Sequence, residues 1–289
     1  MKIITFKTGS ERDRYRIGSL LSDRQAVDLT SVVSDRSLTA EQVNQCFDLD
    51  GSFRKAARDA MNALPRVDLA SMPLCAPVPR PGKVICIGLN YRDHAEESGM
   101  AIPESPLIFS KFPSCVIGPG ETIVIAKGSS QVDYEAELAV VIGRRANNVT
   151  AAQAMDSVFG YTNFNDVSAR DFQFADGQWQ RGKSCDTFAP MGPFVATADE
   201  IADPQDLRIR FLLNGDTLQD SSTGQLIFGV PELIEFLSRN ITLEPGDVIA
   251  TGTPPGVGFA RKPPIFLKDG DVAEVEIEGL GTLSNPVKS

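Results

Sequence analysis

The sequence predicts a β-rich α+β fold, a mixed β-sandwich or roll that follows a small N-terminal domain. Three observations lead to this fold class. Most apolar runs are about four to eight residues long, as strands are, and few have helical spacing. Glycine and proline separate these runs, as expected for many short strands joined by turns. A proline-rich stretch divides the 289-residue chain into a short first part and a long second part.

The first part contains three predicted strands and one predicted helix. Residues 1–7, 14–21 and 25–33 have strand patterns, and residues 52–64 have helical spacing with Ser52 as the capping residue. Four prolines then fall within residues 73–83, which indicates a connector because proline donates no backbone hydrogen bond. We therefore predict a small N-terminal α+β domain over 1–75 and a catalytic domain over 76–289.

The second part is predicted to be mostly strands. Two helices are expected, at residues 150–158 with Thr150 as the cap and at residues 231–240 with Pro231 in the first turn. The predicted strands are residues 83–90, 121–126, 134–143, 193–198, 207–215, 247–253 and 271–283.

Charge and composition limit the classes of partner. The formal net charge is −10 and the isoelectric point about 4.7, which argues against nucleic acid and anionic membranes, because both select clustered Lys and Arg. No apolar run reaches the length of a membrane span, and the first residues lack the apolar segment of a secretory signal. The five cysteines form no C-x-x-C pair and indicate thiols in a reducing cytoplasm.

The segment "GQWQRGKS", residues 177–184, matches the pattern of a phosphate-binding loop. Such a loop requires a buried strand before it and a helix after it. Here a polar stretch precedes it, and prolines and a glycine follow. We therefore reject a nucleotide-binding role for this segment, and Lys183 needs another function.

His94 is the only histidine of the chain, which excludes any site that needs two or three histidines from one chain. A divalent metal would need oxygen ligands, as Mg²⁺, Mn²⁺ and Ca²⁺ do. The segment "QVDYEAELAVVIG" offers such ligands, because strand alternation places Asp133, Glu135 and Glu137 on one face. That face could be the solvated side of an edge strand or the wall of a cation site, and the apolar continuation favours the latter.

Two further segments contain candidate chemistry. Asp166 and Asp171 lie in "GYTNFNDVSARD", which alone indicates a polar loop and could supply a third metal ligand. His94 and Glu97 are three residues apart, so on a short helix they would share a face, whereas Glu96 would point away. A carboxylate beside an imidazole can orient it to take a proton from water. An exposed polar turn is the alternative for this segment.

Five segments in this order resemble the signature segments of the fumarylacetoacetate hydrolase family, and the match runs from about Pro77 to the C-terminus. They are "CIGLNYRDHAEE", "VDYEAELAVVIG", "GYTNFNDVSARD", "GKSCDTFAPMGP" and "GDVIATGTPPGVG". The resemblance implies the β-rich C-terminal domain fold of that family and a homodimer. It also implies one dication, Mg²⁺, Mn²⁺ or Ca²⁺, held by Glu135, Glu137 and Asp166, with Asp133 behind them.

The resemblance also implies roles for other residues. His94 and Glu97 would form a general-base pair on a lid that closes over substrate, and Lys183 would stabilise an oxyanion or enolate. Thr253, beside Gly252, would bind a substrate carboxylate. Lys111, with Ser114, matches a further segment near the site.

The sequence therefore predicts a cytoplasmic, divalent-metal-dependent hydrolase of a small anionic keto acid. It would cleave a C–C bond in a 2,4-diketo acid of the acylpyruvate type, such as a diketo-deoxy sugar acid, giving pyruvate and a carboxylic acid. Decarboxylation of oxaloacetate and isomerisation of a dienoate are alternatives on the same site. A catalytically silent metal-binding protein is the alternative of another class, and the intact set of candidate residues argues against it.

Overall fold

Strands dominate the chain, which we describe from a computed structural model covering residues 1–8, 14–97 and 101–289. The strands among these residues are β1 (Lys2–Phe6), β2 (Arg16–Ser22), β3 (Gln25–Asp28), β4 (Arg66–Asp68), β5 (Leu74–Cys75), β6 (Val84–Gly88), β7 (Leu107–Lys111), β8 (Val116–Ile117), β9 (Ile123–Val124), β10 (Val132–Asp133), β11 (Ala136–Ile142), β12 (Val158–Asn165), β13 (Ser168–Ala169), β14 (Ala189–Thr197), β15 (Arg208–Leu213), β16 (Asp216–Ser222), β17 (Val248–Ala250), β18 (Val272–Ile277) and β19 (Gly281–Lys288). The predicted β-rich α+β class is confirmed.

The helices are short and lie between these strands. They are α1 (Ala40–Gln45), α2 (Phe53–Ala60), α3 (Arg92–Glu97), α4 (Ala151–Ala154), α5 (Arg170–Ala175), α6 (Gln180–Lys183) and α7 (Val230–Ser238). No helix of the described ranges is both long and apolar enough to cross a membrane.

One large mixed sheet joins both parts of the chain. Its strands follow the order β4-β3-β2-β1-β14-β12-β11-β17-β6-β7, with β5 paired to β1 and β8 to β14. The N-terminal strands enter this sheet through β1, where Ile3 pairs with Val195 of β14. The division of the chain near residue 75 stays a prediction, since strands from both sides of it share one sheet.

A second sheet packs against β11, β12 and β14 of the first. Its order is β16-β15-β18-β19-β9, and β10 and β13 form a separate two-stranded ribbon. Asn214 and Gly215 connect β15 to β16 and both have positive φ, 55° and 88°, as a tight hairpin turn requires. This hairpin positions the inward-facing residues of β16 against the start of β11.

The three predicted helices are present as α2, α4 and α7, although their bounds differ from those predicted. The helix predicted at 231–240 is α7, which begins one residue earlier with Pro231 in its first turn. The helix predicted at 150–158 is the short α4, and the backbone N–H of Thr150 donates to the Gln153 side chain. Ser52 is the N-cap residue of α2, as predicted, but its side chain makes no capping hydrogen bond.

The polar-loop interpretation of residues 160–171 is wrong. Its first half belongs to β12, in which every residue is buried, and β13 and the start of α5 follow. A strand buried on both faces need not alternate polar and apolar residues. The polar residues of this segment therefore hid the pattern by which a strand is predicted from sequence. The rejection of a phosphate-binding loop agrees with the structure, because a helix, α5, precedes Gly177 and a turn, not a helix, follows Ser184 before β14.

Candidate metal centre and active site

Three buried carboxylates meet where β11 and β12 pair. Ala136 of β11 is opposite Asn165 of β12, which places Glu135 and Glu137 beside Asp166. The backbone N–H of Asp166 donates to the carbonyl of Glu135 at 2.9 Å. One carboxylate oxygen from each of the three residues lies within 4.8 Å of the others. Hard oxygen donors this close together fit a dication such as Mg²⁺, Mn²⁺ or Ca²⁺.

The acidic segment is not one continuous strand, as the alternation argument assumed. β10 ends at Asp133 and pairs with β13, whereas β11 begins at Ala136 and pairs with β12. Asp133 turns away from the cluster and accepts from Arg170 Nε at 2.8 Å and from the Gly258 N–H at 2.7 Å. It therefore lies behind the three carboxylates.

Three cationic side chains compensate these acids. Lys183 Nζ donates to Glu135 Oε2 at 2.8 Å and to Asp166 Oδ2 at 2.9 Å. Lys111 Nζ donates to the other Asp166 oxygen at 2.5 Å. Arg170 forms an ion pair with Glu135 Oε1 at 2.6 Å, so it bridges Glu135 and Asp133. All three cations are buried, and so their attraction to the acids is screened little by solvent.

Glu135 and Glu137 have opposite pKa shifts. Burial acts to raise the pKa of Glu135, but the positive charges of Lys183 and Arg170 outweigh it and lower the pKa to about 2. Burial raises the pKa of Glu137 well above its usual value, and the negative charges of Asp166 and Glu135 raise it further. Without a dication, Glu137 therefore holds a proton more readily than Glu135 does.

Metal binding should release a proton from Glu137. A dication needs the ionised carboxylate, so the Mn²⁺ affinity should rise with pH above the ordinary titration range of a carboxyl group. Isothermal titration calorimetry in two buffers of different ionisation enthalpy would measure the protons released. Glu137→Gln, which should not bind Mn²⁺ at this site, is the control for heats that arise elsewhere. An affinity independent of pH over this range would contradict the expectation.

A cavity of about 170 Å³ opens beside this cluster. Its polar lining includes Glu135, Glu137, Lys183, His94 and Thr253. Its apolar lining is largely aromatic: Ile87, Leu89, Phe109, Phe174, Trp179 and Phe259. The cavity thus joins a charged group of side chains to an apolar wall, which suits a small ligand with an anionic end.

The loop after β17 forms another side of the site. β17 pairs with β11, so the chain leaves the sheet next to Glu137, and the Gly252 N–H donates to Glu137 Oε2 at 2.9 Å. Gly252 has a φ of 107°, and a Cβ there would lie 2.8 Å from the Asn90 Cβ. Glycine is required at this position for conformation and for space.

His94 lies in α3 and lines the cavity, with only 6 % of its surface exposed. Two hydrogen bonds hold the first turn of α3 in place. Arg92 donates to the Leu226 carbonyl at 2.6 Å, and Asp93 accepts from Ser221 Oγ at 2.5 Å. The side chain of Glu97 lies outside the described part of the structure. The predicted pairing of Glu97 with His94 therefore stays a prediction.

The structure brings most of the predicted site residues together. Lys111 differs, since it contacts Asp166 and the Val167 carbonyl and is not part of the cavity lining. Asp171 also lies apart from the cluster and accepts from Ser129 Oγ at 2.7 Å. The catalytic and binding roles of all these residues stay predictions.

Sequence reasoning missed Arg170, Gln173, Trp179 and Gln219, which contact the cavity or the acidic cluster. Arg170 lies next to Asp171 in the segment "GYTNFNDVSARD", but the residue spacing there does not indicate that Arg170 is buried. Gln219 lies in a strand that was not predicted.

Comparisons with known proteins found one matching family and several similar chains. Residues 83–288 match the family described as fumarylacetoacetate (FAA) hydrolase C-terminal. The chain is 44 % identical to a mitochondrial oxaloacetate tautomerase of Xenopus laevis, over 99 % of this chain and 90 % of that protein.

Two solved structures are similar over the whole chain. A fumarylacetoacetate hydrolase of Exiguobacterium antarcticum has a TM-score of 0.85 at 40 % identity, with 100 % of this chain and 99 % of that chain covered. A maleylpyruvate hydrolase of Sphingobium sp. SYK-6, in complex with manganese(II) and pyruvate, has a TM-score of 0.82 at 30 % identity, with the same coverage.

Proposed function

The chain belongs to the fumarylacetoacetate hydrolase family, and we propose that it is a divalent-metal-dependent tautomerase of a small 2-oxo acid of the oxaloacetate type. The observation that carries this proposal is the buried cluster of Glu135, Glu137 and Asp166 in the wall of a small cavity, with Lys183 against it.

The charges at the site favour an anionic substrate once a dication is present. The buried side chains there are four acids and three bases: Asp133, Glu135, Glu137, Asp166, Lys111, Arg170 and Lys183. With all of them ionised, four negative and three positive charges leave one negative charge. A dication changes this to one positive charge, which would attract a carboxylate.

Glu135, Glu137 and Asp166 would hold the dication, which would supply Lewis-acid polarisation of the 2-oxo group. Lys183 would hold its ammonium charge next to the substrate oxygen on which negative charge develops. Thr253 lines the cavity, and its hydroxyl would bind the substrate carboxylate. His94 lies in the cavity wall, where an imidazole can take a proton from C3 of the substrate and return one to the oxygen.

Two features favour oxaloacetate tautomerisation over the other reactions of this kind. The cavity is close in size to one that holds a single benzene-sized ligand, so the substrate should be small. The Xenopus laevis relative, 44 % identical, is named for this reaction, whereas the maleylpyruvate hydrolase is 30 % identical.

Hydrolytic C–C cleavage of a 2,4-diketo acid is the second candidate. His94 favours it, because a buried imidazole at the cavity could activate a water for attack on the distal carbonyl. Pyruvate and a carboxylic acid would be the products. Decarboxylation of oxaloacetate and isomerisation of a dienoate pass through a similar enolate and remain further outcomes of the same assay.

Product analysis would distinguish these reactions. The protein with Mg²⁺ or Mn²⁺ is offered enol-oxaloacetate and a panel of 2,4-diketo acids, and enol absorbance, pyruvate and CO₂ are followed. Buffer with the same metal and no protein is the control, because metal ions alone promote enolisation. We expect tautomerisation to have the highest kcat/KM. A higher value for pyruvate release from a diketo acid would favour the hydrolase, and metal binding with no turnover would favour the silent alternative.

Replacement of His94 should separate the steps that need a base from those that do not. His94→Gln should retain Mn²⁺ affinity but lose tautomerisation and diketo-acid hydrolysis by ~10²–10⁴-fold, the usual contribution of a general base. Any oxaloacetate decarboxylation should largely survive, because loss of CO₂ requires no proton abstraction. The three rates and the Mn²⁺ affinity are measured for both proteins. A collapse of Mn²⁺ affinity would instead assign His94 to the metal.

The cytoplasmic location and the homodimer remain proposals. The dimer is open to a direct test by sedimentation equilibrium, in which a monomer at micromolar concentration would contradict it.

A further inference from the structure

Gln219 connects the acidic cluster to the loop that carries Thr253. It lies on β16 and is 1 % exposed. Its side-chain oxygen accepts from the backbone N–H of Ala136, the residue between Glu135 and Glu137, at 2.9 Å. Its side-chain nitrogen donates to Thr253 Oγ1 at 2.9 Å and to the Pro254 carbonyl at 2.8 Å. The buried Gln219 amide therefore forms hydrogen bonds both with the strand that carries the acids and with the loop that carries Thr253.

The partners of Gln219 fix which end of its amide is nitrogen. The Ala136 N–H can only donate, so the atom facing it must be the oxygen. The Pro254 carbonyl can only accept, so the atom facing it must be the nitrogen. Both constraints agree, which leaves no freedom to exchange oxygen and nitrogen.

This orientation also fixes the direction of the hydrogen bond to Thr253. The nitrogen of Gln219 donates both of its hydrogens, one to Pro254 and one to Thr253. Thr253 Oγ1 is therefore an acceptor in that contact, and its own proton is left to donate elsewhere. Among the residues that the structure describes, no acceptor for this proton is recorded, and Thr253 lines the cavity.

We infer that Gln219 is a positioning residue that makes Thr253 a hydrogen-bond donor to the anionic group of the substrate. This inference rests on the proposed function, since it concerns the same small 2-oxo acid. A buried hydroxyl can donate or accept, and only a donor is useful to a carboxylate. Because Gln219 already donates to Thr253 Oγ1, the Thr253 hydroxyl is left to act as the donor toward the substrate.

The experiment uses oxalate, an unreactive dianion whose carboxylates resemble that of a 2-oxo acid, as the probe. Its affinity for the Mn²⁺-loaded protein is measured by calorimetry, together with the Mn²⁺ affinity and the melting temperature of each variant. Gln219→Glu is the central variant. It keeps an oxygen for the Ala136 N–H but has at most one proton to donate, so the Thr253 hydroxyl is drawn toward position 219. Gln225→Glu makes the same chemical change on an exposed side chain and is the matched control.

Gln219→Glu should weaken oxalate binding by roughly tenfold to a hundredfold, the range for one hydrogen bond to a charged group. Its Mn²⁺ affinity should stay within about threefold of wild type, because the contact to Ala136 remains. Thr253→Val should weaken oxalate binding to the same extent. Thr253→Ser, which keeps a hydroxyl, should bind oxalate as tightly as wild type does. The double variant Gln219→Glu with Thr253→Val should bind oxalate no more weakly than Thr253→Val alone.

Several results would overturn the inference. Unchanged oxalate binding in Gln219→Glu, with a loss in Thr253→Val, would show that Thr253 donates without Gln219. A further tenfold loss in the double variant would show that Gln219 acts through another group. A parallel fall in Mn²⁺ affinity would assign Gln219 a structural role in the acidic cluster. Failure of wild-type protein to bind oxalate at all would remove the proposed function together with the inference.

Discussion

Replacement of Glu137 by glutamine is expected to abolish Mn²⁺ binding and lower turnover by about 10³-fold or more, while leaving the metal-free protein at least as stable as wild type. Glu137 is 1 % exposed, and its raised pKa means that ionisation inside the folded protein is unfavourable. A group whose pKa is raised on folding contributes most to stability at low pH, and this contribution is lost as the pH rises. Glutamine is uncharged and keeps an oxygen for the Gly252 N–H.

Glu135→Gln is the matched comparison, because it also removes a predicted metal ligand but has the opposite effect on stability. The pKa of Glu135 falls from 4.5 to about 2, so its stabilising ion pairs are present above pH 4.5 and are lost as the pH falls toward 2. At neutral pH glutamine would leave Lys183 and Arg170 without this partner. We expect a loss of about 3 kcal/mol or more in the free energy of unfolding.

Thermal unfolding of both variants, with and without Mn²⁺, makes the comparison. Wild type should gain in melting temperature with Mn²⁺, as a protein does with any ligand of its native state, and neither variant should. If Glu137→Gln still bound Mn²⁺ with wild-type affinity, Glu137 would not be a ligand. If it destabilised the metal-free protein as much as Glu135→Gln does, the opposite electrostatic roles of the two residues would be wrong.

Arg170→Met is expected to destabilise the metal-free protein by about 3–5 kcal/mol, because it leaves two buried acids without their shared cation. Arg170 Nε donates to Asp133 at 2.8 Å, and its guanidinium also forms an ion pair with Glu135 at 2.6 Å. Its guanidinium carbon lies 4.5 Å from the centre of the Phe259 ring. Turnover should fall as well, since Glu135 and the Phe259 wall are both positioned by this side chain. Urea unfolding and the kcat/KM for oxaloacetate measure the two effects.

Arg181→Met is the surface control for the same chemical change. Arg181 forms a bidentate ion pair with Asp176 and lies against the Phe172 ring, but its side chain is largely exposed. Its replacement should leave the melting temperature nearly unchanged, because exposed ion pairs contribute little. Arg170→Lys should fall between wild type and Arg170→Met, since a single ammonium cannot reproduce the planar bridge. Equal effects of Arg170→Met and Arg181→Met would refute the importance assigned to the buried cation.

The sequence alone determined the fold class, the family and most of the candidate site. Short apolar runs between glycines and prolines predicted the strands, and the single histidine limited any metal site to oxygen ligands. The five ordered segments placed Glu135, Glu137, Asp166, His94 and Lys183 in one site. The fold class and the family are confirmed, because both depend on residue type and on the order of motifs along the chain. The structure gathers the candidate residues at one acidic cluster and its cavity, and their roles stay predictions.

Only the tertiary structure decided how the buried charges are paired. Spacing could not show that Asp133 turns to Arg170, that Lys111 lies behind Asp166, or that Gln219 reaches both Ala136 and Thr253. These partners are 37, 55, 83 and 34 residues apart, so strand pairing and not sequence distance brings them together. A buried charge or amide needs a partner within hydrogen-bond distance, because no water molecule is present to take that partner's place. The fold alone determines which partner that is.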